Sequence, residues 1–278
     1  MPRVPPSDPA GRPSPHGVRD ATAGAAEILA LEEVAALGWR PPDAEWIGRW
    51  LLRAAGGWTG RGNSVLPLGD PDRPLDGALE RVVGWYGDRG LPGRFQLPLP
   101  ARDDLDDALE RRGWTAYNPT RVLVADLRAA LAAGRDRPDL PSVLLEAAPS
   151  PDWLGAYHYR GGDRLPPIAV GVMTAADHPV FASVRAGGTT GEVLAIARAV
   201  VDRGWAGVTA VEVPREHRRR GLAAHVMRAL LGWALDAGAD RMWLQVAEEN
   251  APALALYDRL RFSPHHRYHY RLEPGATP

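Results

Sequence analysis

One stretch of this chain occurs twice, and that repetition limits the fold more than any other feature. Val82-Val83-Gly84-Trp85-Tyr86-Gly87-Asp88-Arg89-Gly90 can be laid over Leu230-Leu231-Gly232-Trp233-Ala234-Leu235-Asp236-Ala237-Gly238. At nearly the same offset, Phe95-Gln96-Leu97 falls near Leu244-Gln245-Val246, and Trp114 near Phe262. An offset held across helix and strand signals marks a duplicated unit. At 278 residues the chain is long enough for two such units.

Hydrophobic periodicity predicts helices over 25–38, 75–89, 103–112, 222–237 and 251–260, and a shorter one over 153–159. Strands are expected over 50–55, 63–68, 95–97, 121–127, 143–146, 168–173, 180–184, 193–201, 208–213, 242–246 and 265–272. The interleaving gives an α/β chain built on a mixed sheet. A stretch rich in proline and charge over 134–151 places a boundary between a lobe at 25–134 and a second at 140–278. Residues 1–24 carry six prolines by position 15 and no apolar leader core, and read as a disordered tail.

Composition removes several classes of function. There is no cysteine, which excludes disulfides, thiolate nucleophiles and thiolate metal sites. The net charge of -1 gives no sign of a nucleic-acid or membrane-surface partner, and no apolar run reaches the length of a membrane span. All 33 residues of the lysine-plus-arginine class are arginine, a bias of high-GC bacteria, and a cytoplasmic enzyme is expected. The sequence leaves the oligomeric state open.

The copies differ at one turn. In the second, the strand over 208–213 stops at Pro214, and Arg218-Arg219-Arg220-Gly221-Leu222-Ala223-Ala224 opens the next helix. A glycine turn followed by small residues leaves backbone N–H groups unpaired at a helix N-terminus, where they bind phosphate oxygens. Flanking arginines add charge-assisted hydrogen bonds. The first copy has Asp70-Pro71-Asp72-Arg73-Pro74 there, with prolines that lack donors and aspartates that repel phosphate. A diphosphate-bearing ligand is therefore expected in the second half alone. Opposite Tyr257 the first copy has Leu109, which carries no proton to transfer.

The segment over 143–272 resembles the GNAT superfamily of acyl-CoA-dependent N-acyltransferases. Arg218, Gly221 and Ala223 meet its phosphate-turn pattern. Its second signature, Asn-x-x-Ala-x-x-x-Tyr followed by Leu and Gly-Phe, appears as Asn250, Ala253, Tyr257, Leu260 and Phe262, with Arg261 in place of the glycine. The resemblance implies two GNAT-like lobes in tandem, the first degenerate, and strands 208–213 and 242–246 splayed to admit pantetheine. Acetyl-CoA would pair with backbone groups of Val211, Glu212 and Val213. Its diphosphate would lie on residues 219–224, with Asn250 as a further contact.

Tyr257 is the candidate general acid. A phenol, ordinarily near 10, stays protonated at neutral pH and donates to a departing thiolate whose own pKa is about 8.5. Glu212 interrupts an apolar strand and is the candidate base for an amine acceptor, although pairing with an arginine explains it equally well. Asn250 is also suited to cap the helix over 251–260. No metal is expected, because His265 and His269 stand about 13 Å apart on a strand and His266 faces away. The strand over 265–270, with Trp153, Tyr157 and His158, is left as candidate lining of an acceptor pocket. The class alternative to an N-acetyltransferase is a non-catalytic acyl-CoA sensor.

Overall fold

A computed structural model of the protein describes residues 23–159, 162 and 164–277. The proline-rich tail expected over 1–24 lies almost wholly outside the described residues.

The first half runs α1 (Ala25–Leu37), β1 (Asp43–Ile47), β2 (Trp50–Ala54), β3 (Leu66–Pro67), α2 (Leu75–Gly87), β4 (Arg94–Leu99), α3 (Asp103–Glu110) and β5 (Thr115–Asp126). Helix α4 (Leu127–Ala133) then leads to β6 (Val143–Glu146), α5 (Pro151–Gly155), α6 (Ile168–Thr174), β7 (Val180–Arg185), β8 (Val193–Asp202) and β9 (Trp205–Glu212). Helix α7 (Leu222–Asp236), β10 (Arg241–Ala247), α8 (Ala251–Arg259) and β11 (Ser263–Leu272) complete the chain. The helix–strand–helix–strand series starts at 75, 94, 103 and 115 in the first half and at 222, 241, 251 and 263 in the second. The offset shifts by a single residue across four elements.

Each half closes with a strand that pairs across to the other. The main sheet has the order β4-β11-β5-β10-β9-β8-β7-β6, beside a smaller sheet β1-β2-β3. Strand β5 lies antiparallel to β10, with Leu123 opposite Leu244, and β11 lies antiparallel to β4, with Leu97 opposite His269. The two exchanged strands pair with one another at the centre. Cutting the chain between α4 and β6 and separating the pieces would bare the edges of β4 and β10, which are ready templates for mispairing.

The second half buries one apolar cluster on each face of the sheet. Ala195, Ala197 and Ala199 of β8 meet Val226, Met227, Leu230 and Leu231 of α7 on one face. Alanines on the strand let the helix approach closely, and each fully buried leucine contributes about 1.5–3 kcal/mol. Ile196 points to the opposite face, against Trp39, Trp58, Trp153 and Phe181. Gly207 of β9 stands opposite Trp243, where a Cβ would come within 2.4 Å of the indole.

Four expectations need correction. Residues 168–173, read as a strand, form α6. Ala169, Val172 and Met173 bury at helical spacing, and a short apolar run rich in Ile and Val does not separate the two periods. The strand over 63–68 reduces to the two residues of β3, preceded by a turn of 3-10 helix at Arg61–Asn63. The helix over 153–159 lies earlier, at α5, where Ser150 Oγ accepts from Trp153 N at 3.2 Å. Strand β1 and helix α4 have no counterpart among the expected elements; β1 buries only Ile47, so it shows no alternation to read. Among the described residues no helix is long and apolar enough to cross a membrane.

Candidate active site

The sheet opens between β9 and β10. Their parallel pairing runs from Trp205 and Arg241 to Val208 and Leu244 and then stops, although β9 continues to Glu212 and β10 to Ala247. On its other edge β9 gains one residue against β8, between the pairs Thr209–Arg198 and Glu212–Ile196. Ala210 lies within this bulge at φ +54. A bulge bends its strand and re-aims the residues beyond it. Here it leaves Thr209 to Glu212 without ladder partners on β10, an edge that an extended ligand can extend by strand addition.

The arginine turn comes directly after this edge. Arg219 at φ +66 and Gly221 at φ +84 both take the left-handed conformation, so the intervening amides curl into a concave nest. Gly221 is the N-cap of α7, with no side-chain cap, and the first helical bond runs from His225 N to Gly221 O at 3.0 Å. The N–H groups of Leu222, Ala223 and Ala224 are left without intrahelical partners. Arg218 Nε donates to Val213 O at 3.0 Å and fastens the turn to the strand end. Arg220 approaches His217, which contacts Glu192 at 3.0 Å. From the linker, Arg137 donates to Arg220 O at 3.4 Å while held by Asp139 through two bonds of 2.7 and 2.6 Å. This Arg137 pairing holds the Asp139 carboxyl down to about 2.

At the equivalent place in the first half, Pro74 caps α2. A cleft of about 470 Å³ beside it is lined by Asp70, Pro71, Asp72, Arg73, Arg102 and Asp104, among others. Its carboxylates oppose an anion.

Helix α8 brings Tyr257 to the same face of the sheet as α7. Asn250 caps it, accepting from Ala253 N at 3.2 Å, with Pro252 in the first turn. Tyr257 is buried beside Phe262, ring centroids 5.7 Å apart, and burial pushes its hydroxyl up to about 12. That hydroxyl makes no hydrogen bond among the described residues. Arg261, where the family pattern has glycine, adopts φ +65 and keeps the helix end, with Phe262 N bonded to Tyr257 O at 2.9 Å.

Among the described residues Glu212 is paired with His158 and with no arginine. Its carboxylate accepts from His158 N at 2.8 Å and lies 3.4 Å from His158 Nδ1. The 157–159 segment thus folds over the open strands from the face opposite Tyr257. Trp153 is fully buried, and its indole donates to Ala182 O at 2.9 Å, so it supports the segment from below. Tyr157 packs against Trp58 and Tyr159.

The last strand behaves differently from its sequence reading. A register shift between Pro264 and His266 breaks the alternation, so His265 and His266 do not point apart: their Nδ1 atoms are 2.8 Å from one another. His266 also holds the buried Glu32 at 2.9 Å, and His269 holds Asp106 at 2.7 Å. These histidines are engaged by the first half, and the residues of this strand nearest the opening are Tyr268 and Tyr270. Tyr268 donates to Gln245 Oε1 at 3.2 Å.

Sequence reasoning missed Arg61 and Gln245. Gln245 is the first β10 residue beyond the split, and its Oε1 accepts from Arg61 Nη1 at 2.7 Å. Arg61 comes from the first half, on the Gly-rich loop after β2. Asn63 shapes that loop, accepting from Ala55 N and Gly57 N at 2.8 and 2.9 Å and donating to Thr59 O at 2.7 Å. The available signal was the density of Gly, Trp and Arg in 56–63.

Residues 25–271 match the family described as "Probable histone acetyltransferase Rv0428c C-terminal". The chain belongs to that family. It is an acetyltransferase with the GNAT fold, and the curated relatives it matches are named as acetyltransferases. The "Uncharacterized N-acetyltransferase YobR" of Bacillus subtilis is 31% identical over 260 residues, 89% of this chain and 99% of the relative. The "Probable histone acetyltransferase Rv0428c" of Mycobacterium tuberculosis is 32% identical over 259 residues, 90% and 76% of the two chains. A GCN5-related N-acetyltransferase from Kribbella flavida shares the fold with TM-score 0.65 at 19% identity, covering 92% of this chain and 98% of its own. A tandem GNAT protein from the clavulanic acid biosynthesis pathway does so with TM-score 0.60 at 16% identity, over 93% and 92%. GNAT proteins act in acetyl transfer, and the nest at Gly221 and the opening at β9 suit the diphosphate and the extended arm of their acetyl-CoA cosubstrate.

Proposed function

We propose that this GNAT protein transfers an acetyl group from acetyl-CoA directly to a primary amine, at a single site in its second half. The observation that carries the reading is a convergence. The donor nest at Arg219–Ala224 follows directly on the β9 edge that β10 leaves at Val211 and Glu212, and Tyr257, whose hydroxyl has no partner among the described residues, packs in the same apolar cluster as Val211 and Val213.

The diphosphate lies on the N-terminus of α7, flanked by Arg218 and Arg220, and the pantetheine arm runs along β9, with Asn250 as a further contact. The acceptor enters from the opposite face, under His158. Glu212 takes a proton from the ammonium, and the neutral nitrogen adds to the thioester carbonyl. Collapse of the tetrahedral adduct breaks the carbon–sulfur bond, and the nitrogen gives up its second proton, which balances the proton that the departing thiolate takes up. Tyr257 donates to the thiolate as it leaves, so the coenzyme departs as a thiol or a hydrogen-bonded thiolate. No cysteine is present to carry an acyl intermediate. The lobe over 25–134 binds no cofactor of its own and supplies part of the acceptor wall.

Thiol release measured with acetyl-CoA and a panel of primary amines tests this. Amine-dependent coenzyme A release, with one acetylated amine per thiol by mass spectrometry, is the expected result. Tight acetyl-CoA binding without release for any amine would leave a sensor instead.

A further inference from the structure

The acceptor side of the opening is short of negative charge and rich in unused donors. Arg198 of β8 is fully buried, donates to Met173 O, Gly38 O and Thr209 Oγ1, and has no carboxylate partner among the described residues. Arg61 stands beside it, its guanidinium 4.8 Å and that of Arg198 5.5 Å from the same Trp39 ring. Arg61 likewise has no carboxylate partner among the described residues. Burial and then the neighbouring Arg61 bring Arg198 down to about 9.

The orientation of Gln245 sharpens the point. Both of its oxygen's neighbours, Arg61 Nη1 and Tyr268 OH, are donors, which turns its amide nitrogen the other way. Among the described residues that Nε2 is buried with no partner, as are the indole N–H groups of Trp39 and Trp58. On the far side of the Gly-rich loop lies a cavity of about 150 Å³, walled by Thr59, Arg94, Tyr159 and Tyr270. Arg94 Nε and Thr59 Oγ1, which line it, are buried without partners among the described residues. A buried donor left unpaired is costly, and an unpaired charge more so. Gln245 Nε2 and the two indoles are donors only, so an acceptor-rich, anionic group beside Arg61 matches the chemistry of this corner.

We propose that the acceptor is a small amine that also carries a carboxylate, an amino-acid-type molecule, and that Arg61 reads the carboxylate. This rests on the reading that acetyl transfer occurs at this opening. Arg61 spends Nη1 on Gln245 and keeps Nε and Nη2, the pair whose fork matches a carboxylate. Gln245 Nε2 supplies a further donor, and Glu212 stands ready for the amine. The Trp39 ring under Arg61 and the packed Trp58 and Tyr157 rings wall this corner with aromatic side chains, which suits a free small molecule better than a lysine on a folded protein.

The test compares L-amino acids with their L-amino amides, which keep the size and lose the charge. Wild-type protein should favour each accepted acid over its amide by roughly ten- to a hundredfold in kcat/KM. Gln245→Glu, which places a carboxylate beside Arg61 in the same volume, and Arg61→Met should both erase that preference. Equal use of acid and amide, a preference that survives both variants, or faster turnover of lysine-containing peptides would overturn the proposal while leaving acetyl transfer intact. A second readout is independent of turnover. Tryptophan fluorescence should report binding of phenylacetate but not phenylacetamide to the wild type, weakened at least about tenfold in Gln245→Glu. No binding of phenylacetate would overturn the anion site, whereas binding without any acetyl transfer would keep the site and remove the acetyltransferase reading.

Discussion

Replacing Tyr257 with phenylalanine removes one oxygen that has no partner among the described residues, so its effect on rate is separable from its effect on folding. Because no hydrogen bond is lost and the ring stays packed on Phe262, stability should change by less than about 0.5 kcal/mol. The kinetic cost comes from the phenol's acidity. Burial holds Tyr257 at about 12, and the coenzyme thiol lies near 8.5, so complete proton transfer is uphill by about 5 kcal/mol. The remaining contribution is a hydrogen bond to sulfur that strengthens as negative charge develops, about 1.5–3 kcal/mol. Tyr257→Phe should therefore lower kcat roughly ten- to a hundredfold, with KM for acetyl-CoA little changed. The raised value also keeps the phenol protonated, so kcat should show no basic limb from this group below about pH 11. Thiol release under saturating acetyl-CoA, with thermal melts of both proteins, reads all three quantities. An unchanged rate would make Tyr257 a core residue only. A loss beyond about a thousandfold would mean that the proton is fully transferred and the acidity argument is wrong.

Three other outcomes are expected from backbone and burial. Gly221→Ala forces a side chain into φ +84, with its Cβ 2.5 Å from Arg137 Nη1. It should cost about 1–2 kcal/mol in chemical denaturation and weaken acetyl-CoA binding, and wild-type behaviour in both would contradict the nest. Arg261→Gly relieves the left-handed strain at φ +65 and should stabilise the fold by about 0.5–1 kcal/mol in the same denaturation assay. Burial and then His266 hold His265 below its ordinary value, so the unfolded chain takes up a proton there that the folded chain refuses. Its contribution is present above about pH 6.5 and lost as pH falls through the folded value. The fall in Tm between pH 7 and 5 should be shallower in His265→Gln, and an equal or steeper fall would reverse the sign.

Much of the second half was legible because its chemistry is local. Gly221 and Asn250 are the N-caps of the helices that the sequence placed after them, and their neighbours in sequence are also neighbours in space. The exchange of β5 and β11 was not legible, since the apolar pattern that makes a strand does not name its partner. The α6 misreading has a similar origin, in a run whose Ile and Val favour strands until the burial of Ala169, Val172 and Met173 decides otherwise. Arg61 and Gln245 stand 184 residues apart, and nothing in either segment foretells their bond. His265 and His266 were misjudged because strand alternation fails at a bulge, and one extra residue turns two opposed side chains into touching ones.

The central claim is a single cofactor site, in the second half, at the opening between β9 and β10. Calorimetric titration of the protein with acetyl-CoA tests it most directly, repeated on Gly221→Ala. One site per chain, weakened by that substitution, is the predicted result. Two sites, or one site indifferent to Gly221, would place the coenzyme elsewhere and contradict the account.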